Sequence, residues 1–183
     1  MVGIKNTKKA IFLDRDGVLN IPFIKNGKTY APKKFQEFKL YPNVKFYCKK
    51  LKLYFLLIVV TNQPDVSRKL IQLKELKKMH QKLKQKIDYD DLFYCTDVSK
   101  KSYYKKPNVG MFKRAIKKYN IDPLKSYLIG DRWSDIESGN KIGCKTIFID
   151  RKYKEQKPIN PFLITKSFSE SARFILNEKN RKI

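Results

Sequence analysis

Apolar stretches of strand length alternate along this chain with amphipathic stretches of helix length, and that alternation leaves few folds open. Apolar runs over 10–13, 55–60, 92–94, 127–129 and 146–149 read as strands, with helical patterns over about 44–53, 70–87, 111–119 and 134–142 between them. Strand–helix–strand order predicts an α/β chain: a three-layer, Rossmann-like, mostly parallel sheet with helices on both faces. Leu70, Leu73, Leu76, Met79, His80 and Leu83 recur at three-to-four spacing and predict one buried stripe on a lysine-coated helix. His80, the only histidine, belongs to that stripe and reads as a packing or boundary residue. A charged, proline-bearing loop is expected from 150 through 161, then a serine-capped closing helix over 169–176.

The 183 residues suit a single domain, 1–183, and 42% hydrophobic residues suffice for its core. No apolar run approaches a membrane span, and the lysine-bearing start lacks the continuous apolar stretch of a secretion signal. The expectation is a cytoplasmic monomer with no membrane partner. Cys48, Cys95 and Cys144 are isolated, which argues for reduced thiols and against a disulfide framework or a cysteine-pair zinc cluster. A formal net charge of +25 would suit a polyanion, nucleic acid included. It comes from 35 lysines and only 7 arginines, whereas bidentate phosphate recognition favours arginine. The coding bias of an AT-rich genome and polyanion binding both stay open as its origin.

Function is written most densely at the end of the first strand. Lys9-Ala10-Ile11-Phe12-Leu13-Asp14-Arg15-Asp16-Gly17-Val18-Leu19-Asn20 closes on two aspartates one residue apart, with a glycine that permits a sharp turn. Strand alternation would project Asp14 and Asp16 to one side, as a site for a hard cation. Such pairs also cap helices or sit in solvated turns. Three further segments follow in order: Val60-Thr61-Asn62-Gln63, Lys105-Lys106-Pro107-x-x-Gly110-Met111, and Gly130-Asp131-Arg132-Trp133-Ser134-Asp135. Asp14, Thr61 and Asp131 each follow a predicted strand, where open α/β sheets bind their ligands. Asp131 and Asp135, at a helix start, also fit capping. Lys106 stands apart from the other lysines only through its motif.

These four ordered motifs, spanning about 9–150, resemble the haloacid dehalogenase superfamily of phosphatases. F-L-D-R-D-G-V-L-N, V-T-N-Q and K-P-x-x-G-M most resemble its capless group, which contains heptose bisphosphate and histidinol phosphatases. The segments 17–42 and 64–104 are too short, or too helical, for a separate cap. The resemblance implies Asp14 as nucleophile, Asp16 as acid and base, and Thr61 and Lys106 as stabilisers of the phosphoryl oxygens. It implies Mg²⁺ held by Asp14, the Asp16 backbone carbonyl and Asp131, with Asp135 orienting a water or neighbouring ligand. Asn20, Asn62, Gln63, Lys105 and Arg132 are the candidate substrate contacts.

Three departures bear on the substrate. The group's zinc loop, C-x-H then C-x-C, reads here Cys95, Asp97, Ser102 and Tyr104, so no zinc is expected. The arginine of R-K-P is Lys105, which keeps the charge and loses the planar fork. A glycine-bearing turn after V-T-N-Q is replaced by Pro64-Asp65. The expected activity is Mg²⁺-dependent hydrolysis of a small sugar phosphate, heptose bisphosphate or a relative in surface-polysaccharide precursor synthesis. Histidinol phosphate and polynucleotide 3′-phosphate ends are the alternative substrates. A lysine-rich binding protein on a retired phosphatase fold is the non-enzymatic alternative, against which the complete motifs argue.

Overall fold

The four residues of β1 (Ala10–Leu13) are fully buried, as a strand covered on both faces must be. Ile11 and Leu13 face one core, and Ala10 and Phe12 the other. A computed structural model describes residues 7–180; the first six, part of the start expected to lack a secretion signal, lie outside the described residues. After β1 come a hairpin of β2 (Phe23–Lys25) and β3 (Lys28–Tyr30), then α1 (Val44–Lys52), β4 (Leu56–Asn62), α2 (Leu73–Lys86) and β5 (Asp91–Cys95). The second half holds α3 (Gly110–Tyr119), β6 (Tyr127–Gly130), α4 (Trp133–Ile142), β7 (Lys145–Ile149), β8 (Leu163–Thr165) and α5 (Phe168–Asn180).

Six strands form one parallel sheet in the order β5-β4-β1-β6-β7-β8. Leu57 and Val59 of β4 join Ile11 and Leu13 against residues of α1, α2 and α5, while Ile58 and Val60 join Ala10 and Phe12 against α3 and α4. That is the expected three-layer α/β fold. The chain runs from β1 outward to β4 and β5, then returns to β6 on the other side of β1. The carboxyl ends of β1, β4 and β6 therefore stand side by side at the switch in strand order, where open sheets bind ligands.

Where structure and sequence reading differ, local backbone chemistry explains it. The hairpin turns on Asn26 and Gly27, both at positive φ (54° and 76°), an Asn-Gly signal that the apolar pattern alone passes over. Between β1 and α1 the described residues hold only this hairpin and one short helical turn at Phe35–Glu37. Helix α2 starts at Leu73 rather than Leu70, because Lys69 sits at φ 59° inside a turn in which Arg68 N–H donates to the Pro64 carbonyl. Leu70 and Leu73 are consequently 52% and 40% exposed, and the buried stripe narrows to Leu76, Met79 and Leu83. Strand β8 pairs with β7 inside a stretch that lacked an apolar run long enough to mark it. Among the described residues, no helix is long and apolar enough to cross a membrane.

Candidate active site

Asp14 is the first residue past β1, and its N–H donates to the Ile129 carbonyl, which ties it between the central strands. Its carboxylate is buried and meets Lys106, whose Nζ lies 2.5 Å from Asp14 Oδ1 and 2.6 Å from Asp135 Oδ1. The ammonium's third bond goes to the Val60 carbonyl at 2.8 Å. Lys106 is thus fully coordinated in a buried position. Asn62 fixes its backbone, accepting from Lys106 N–H (3.0 Å) and donating to Lys106 O (3.1 Å).

Asp131 follows β6 and is buried, and among the described residues neither carboxylate oxygen has a well-formed hydrogen bond, the Tyr153 hydroxyl standing beside it. Asp14, Asp131 and Asp135 each offer an oxygen within 4.8 Å of the others. Burial, then the charges of Asp14 and Asp135, pushes the Asp131 carboxyl well above the usual range. Asp14 is pushed up to about 7, by burial first; Lys106 opposes this, and Asp135 and Asp16 add to it. For Lys106, burial acts downward and is outweighed by Asp135 and Asp14, so its ammonium is held above the ordinary lysine value. Asp14 and Asp135 share the Lys106 ammonium, whereas Asp131 pairs with no cation among the described residues, so three close, buried carboxyl groups meet a single positive charge and a counter-charge beside Asp131 would relieve them. An all-oxygen donor set of this kind fits a hard divalent cation such as Mg²⁺.

Two glycines make the close approach possible. Gly17 sits at φ 91°, and a Cβ there would stand 1.8 Å from Asp131 Oδ2. At Gly130 a Cβ would lie 2.2 Å from the Asp135 Cβ, so its absence lets α4 close on the end of β6. Asp135 Oδ2 accepts from Arg132 N–H at 3.1 Å, a helix-start bond, while Oδ1 serves Lys106. The capping alternative thus applies to Asp135 alongside its hold on Lys106, and among the described residues Asp131 makes no capping bond.

Asp16 lies outside the three-carboxylate cluster. β1 ends at Leu13 and the chain turns at Gly17, so the turn rather than strand alternation aims this side chain. Its carboxylate accepts from Arg15 Nη2 (2.8 and 2.6 Å), Asn20 Nδ2 (2.9 Å) and Gln63 Nε2 (2.7 Å). Gln63 Nε2 also donates to Thr61 Oγ1 at 2.9 Å. Of the candidate substrate contacts, Asn20 and Gln63 brace Asp16 and Asn62 braces Lys106. Lys105 Nζ donates to the Val98 carbonyl at 2.5 Å, and Arg132 pairs with Glu155 through Nε (2.9 Å) and Nη2 (2.8 Å).

Two arginines were missed by sequence reasoning. Arg15, the middle residue of D-R-D, is fully buried and reaches His80 Nε2 at 3.1 Å. Arg151, just past β7, donates through Nε to the Gly17 carbonyl at 3.0 Å and stacks on Tyr41 at 4.1 Å. Their scarcity among so many lysines was the one signal that marked them.

At the zinc-loop positions the side chains bond one another. Ser102 Oγ donates to Asp97, and it lies 3.9 Å from Cys95 Sγ, while Tyr104 is exposed. One thiol beside a hydroxyl and a carboxylate is not the thiolate–imidazole set that closes a structural zinc site.

Comparison with known proteins adds an independent line. A model of the HAD-hydrolase-like family matches residues 103–171. A D-glycero-beta-D-manno-heptose-1,7-bisphosphate 7-phosphatase of Haemophilus ducreyi is 32% identical over 161 residues, 80% of this chain and 85% of that protein. Its counterpart in Haemophilus influenzae is 37% identical over 152 residues, 75% and 77% of the two chains. Among solved structures, a D,D-heptose 1,7-bisphosphate phosphatase from B. bronchiseptica, complexed with magnesium and phosphate, superposes with a TM-score of 0.77 at 22% identity, covering 93% of this chain and 99% of that one.

Proposed function

The chain belongs to the heptose-1,7-bisphosphate 7-phosphatase family of HAD-like hydrolases, and from that membership we propose that it hydrolyses one phosphate ester of a heptose bisphosphate or a similarly small phosphorylated sugar. The observation that most supports this reading is the pairing of Asp14 with Lys106 beside a buried Asp131 whose oxygens meet no cation among the described residues. The relatives described above carry the heptose substrate in their names, and none speaks for histidinol phosphate or polynucleotide ends.

Asp14 attacks phosphorus with one carboxylate oxygen, the bond from phosphorus to the sugar oxygen breaks, and the departing alkoxide takes a proton from Asp16. Asp16, now ionised, removes a proton from water as that water's oxygen attacks phosphorus. The Asp14–phosphorus bond then breaks and inorganic phosphate leaves. Thr61 donates to a phosphoryl oxygen, and Lys106, whose three N–H groups are already taken, acts as a fixed point charge on the phosphoryl group as charge spreads in the transition state. Asp14, Asp131 and the Asp16 backbone carbonyl would hold Mg²⁺, which when bound would supply the positive charge that lets a phosphate dianion approach a carboxylate. Asp135 keeps Lys106 directed at Asp14. Arg132 and Lys105 are the contacts proposed for the rest of the substrate, and the enzyme works as a cytoplasmic monomer, residues 1–183 forming one domain.

Phosphate release from heptose bisphosphate, histidinol phosphate and a 3′-phosphorylated oligonucleotide, each with and without Mg²⁺, tests the reading. The expected result is a kcat/KM for the heptose compound far above the other two, lost on chelation. Equal or greater turnover of the oligonucleotide contradicts it.

A further inference from the structure

We propose that His80 is a positioning residue for proton transfer at Asp16, acting through Arg15; the inference rests on the reading of Asp16 as acid and base. Arg15 Nη1 lies 3.1 Å from His80 Nε2. A guanidinium only donates, so Nε2 is the acceptor and the imidazole carries its hydrogen on Nδ1. Burial first, and then the charge of Arg15, pushes the His80 imidazole down to about 3, which keeps that acceptor neutral. A neutral acceptor satisfies Nη1 and leaves the guanidinium charge to Asp16.

The other side of Arg15 shows what this hold accomplishes. Its Nη2 reaches both oxygens of Asp16 and also the Gln63 Oε1 at 3.1 Å, while the Phe38 ring lies 5.6 Å from the guanidinium centre. Among the described residues Arg15 Nε has no partner, so His80, Asp16 and Gln63 are the hydrogen-bond partners that orient this fully buried guanidinium beside Phe38. Gln63 in turn bridges Asp16 and Thr61. A chain of hydrogen bonds thus runs from α2, 65 residues away in sequence, into the proton-transfer group and a phosphoryl donor. Without His80, Nη1 is a buried donor without an acceptor, and the guanidinium gains by rotating to find one.

The test uses two leaving groups. An alkoxide must be protonated as it departs, whereas the phenolate of an activated aryl phosphate need not be. In His80→Phe, kcat/KM for an alkyl phosphate should fall by about tenfold or more while that for the aryl phosphate stays within about twofold, a fraction of the full worth of a general acid. His80→Gln, whose Oε1 reaches the place of Nε2, should restore the alkyl value, and the shorter His80→Asn should not. Should His80→Phe fail to fold, the Gln and Asn pair decides alone: equal alkyl-to-aryl ratios overturn the proposal. Asp16→Asn is the control. If it splits the two substrates while His80→Phe lowers both alike or neither, the inference about His80 is wrong and the role of Asp16 survives. If Asp16→Asn shows no split, the underlying reading fails.

Discussion

Lys106 Nζ stands 2.5 Å from Asp14 Oδ1, and Asp135 Oδ1 holds the same ammonium from the other side at 2.6 Å. A point charge fixed by two carboxylates and a carbonyl is already in place before a phosphoryl group arrives, so little reorganisation accompanies its arrival.

Replacing Lys106 by Met should therefore lower kcat by on the order of a hundredfold to a thousandfold, the usual cost of one electrostatic stabiliser. Lys106→Arg should not rescue it, because a planar fork does not fit three acceptors arranged about one nitrogen. Steady-state phosphate release checks both variants, and near-native turnover in either contradicts the role.

Gly17→Ala would place a methyl 1.8 Å from Asp131 Oδ2 and force φ 91° on a residue that disfavours it. Displacing a ligand by its neighbour should weaken Mg²⁺ binding by about tenfold or more. Calorimetric titration of the purified variant measures it; unaltered affinity would mean that Asp131 does not hold the ion.

Folding stability should carry the signature of His80. Its imidazole titrates at 6.5 in an ordinary setting and is pushed down to about 3 here, by burial and then by Arg15, with Asp16 opposing. A depressed value means the unfolded chain takes up a proton that the folded chain refuses. The stabilisation is complete above pH 6.5 and is lost as pH falls toward 3, at up to about 1.4 kcal/mol per pH unit. Melting curves of wild type and His80→Gln between pH 7 and about pH 5, above the ordinary carboxylate range, should diverge, with only the wild type losing that increment. Parallel curves would contradict it.

Lys105→Arg should tighten binding of a bisphosphate more than of a monophosphate, since the fork returns two parallel donors where the lysine now spends its ammonium on the Val98 carbonyl. The ratio of the two KM values reports it. A loss for both substrates would place Lys105 away from the second phosphate.

The apolar runs were enough to foresee the central strands, because a strand buried on both faces must be apolar throughout, as Ala10 to Leu13 are. The places of Asp14, Thr61 and Asp131 were legible through their motifs and through where the predicted strands end, and that of Lys106 through its motif alone. The arrangement of Asp16 was not: its side chain obeys a turn, and its donors come from Asn20 and Gln63 as well as its neighbour Arg15. His80 sat in a helical stripe, and no local pattern distinguishes a packed histidine from one accepting a hydrogen bond from a residue 65 positions away. Asn62 read as a substrate contact by its place after Thr61, whereas both of its amide atoms are spent on the Lys106 backbone. The exposed Leu70 and Leu73 show the reverse case, in which periodicity ran on past a turn that Lys69 imposes.

The most direct measurement is peptide mass spectrometry of Asp16→Asn protein, acid-quenched during turnover of an activated aryl phosphate with Mg²⁺. Lacking the base for the second step, this variant should accumulate a phosphoryl group on Asp14, and Asp14→Asn should carry none. Turnover with Asp14 unmodified, or a phosphoryl group on any other residue, would contradict the account.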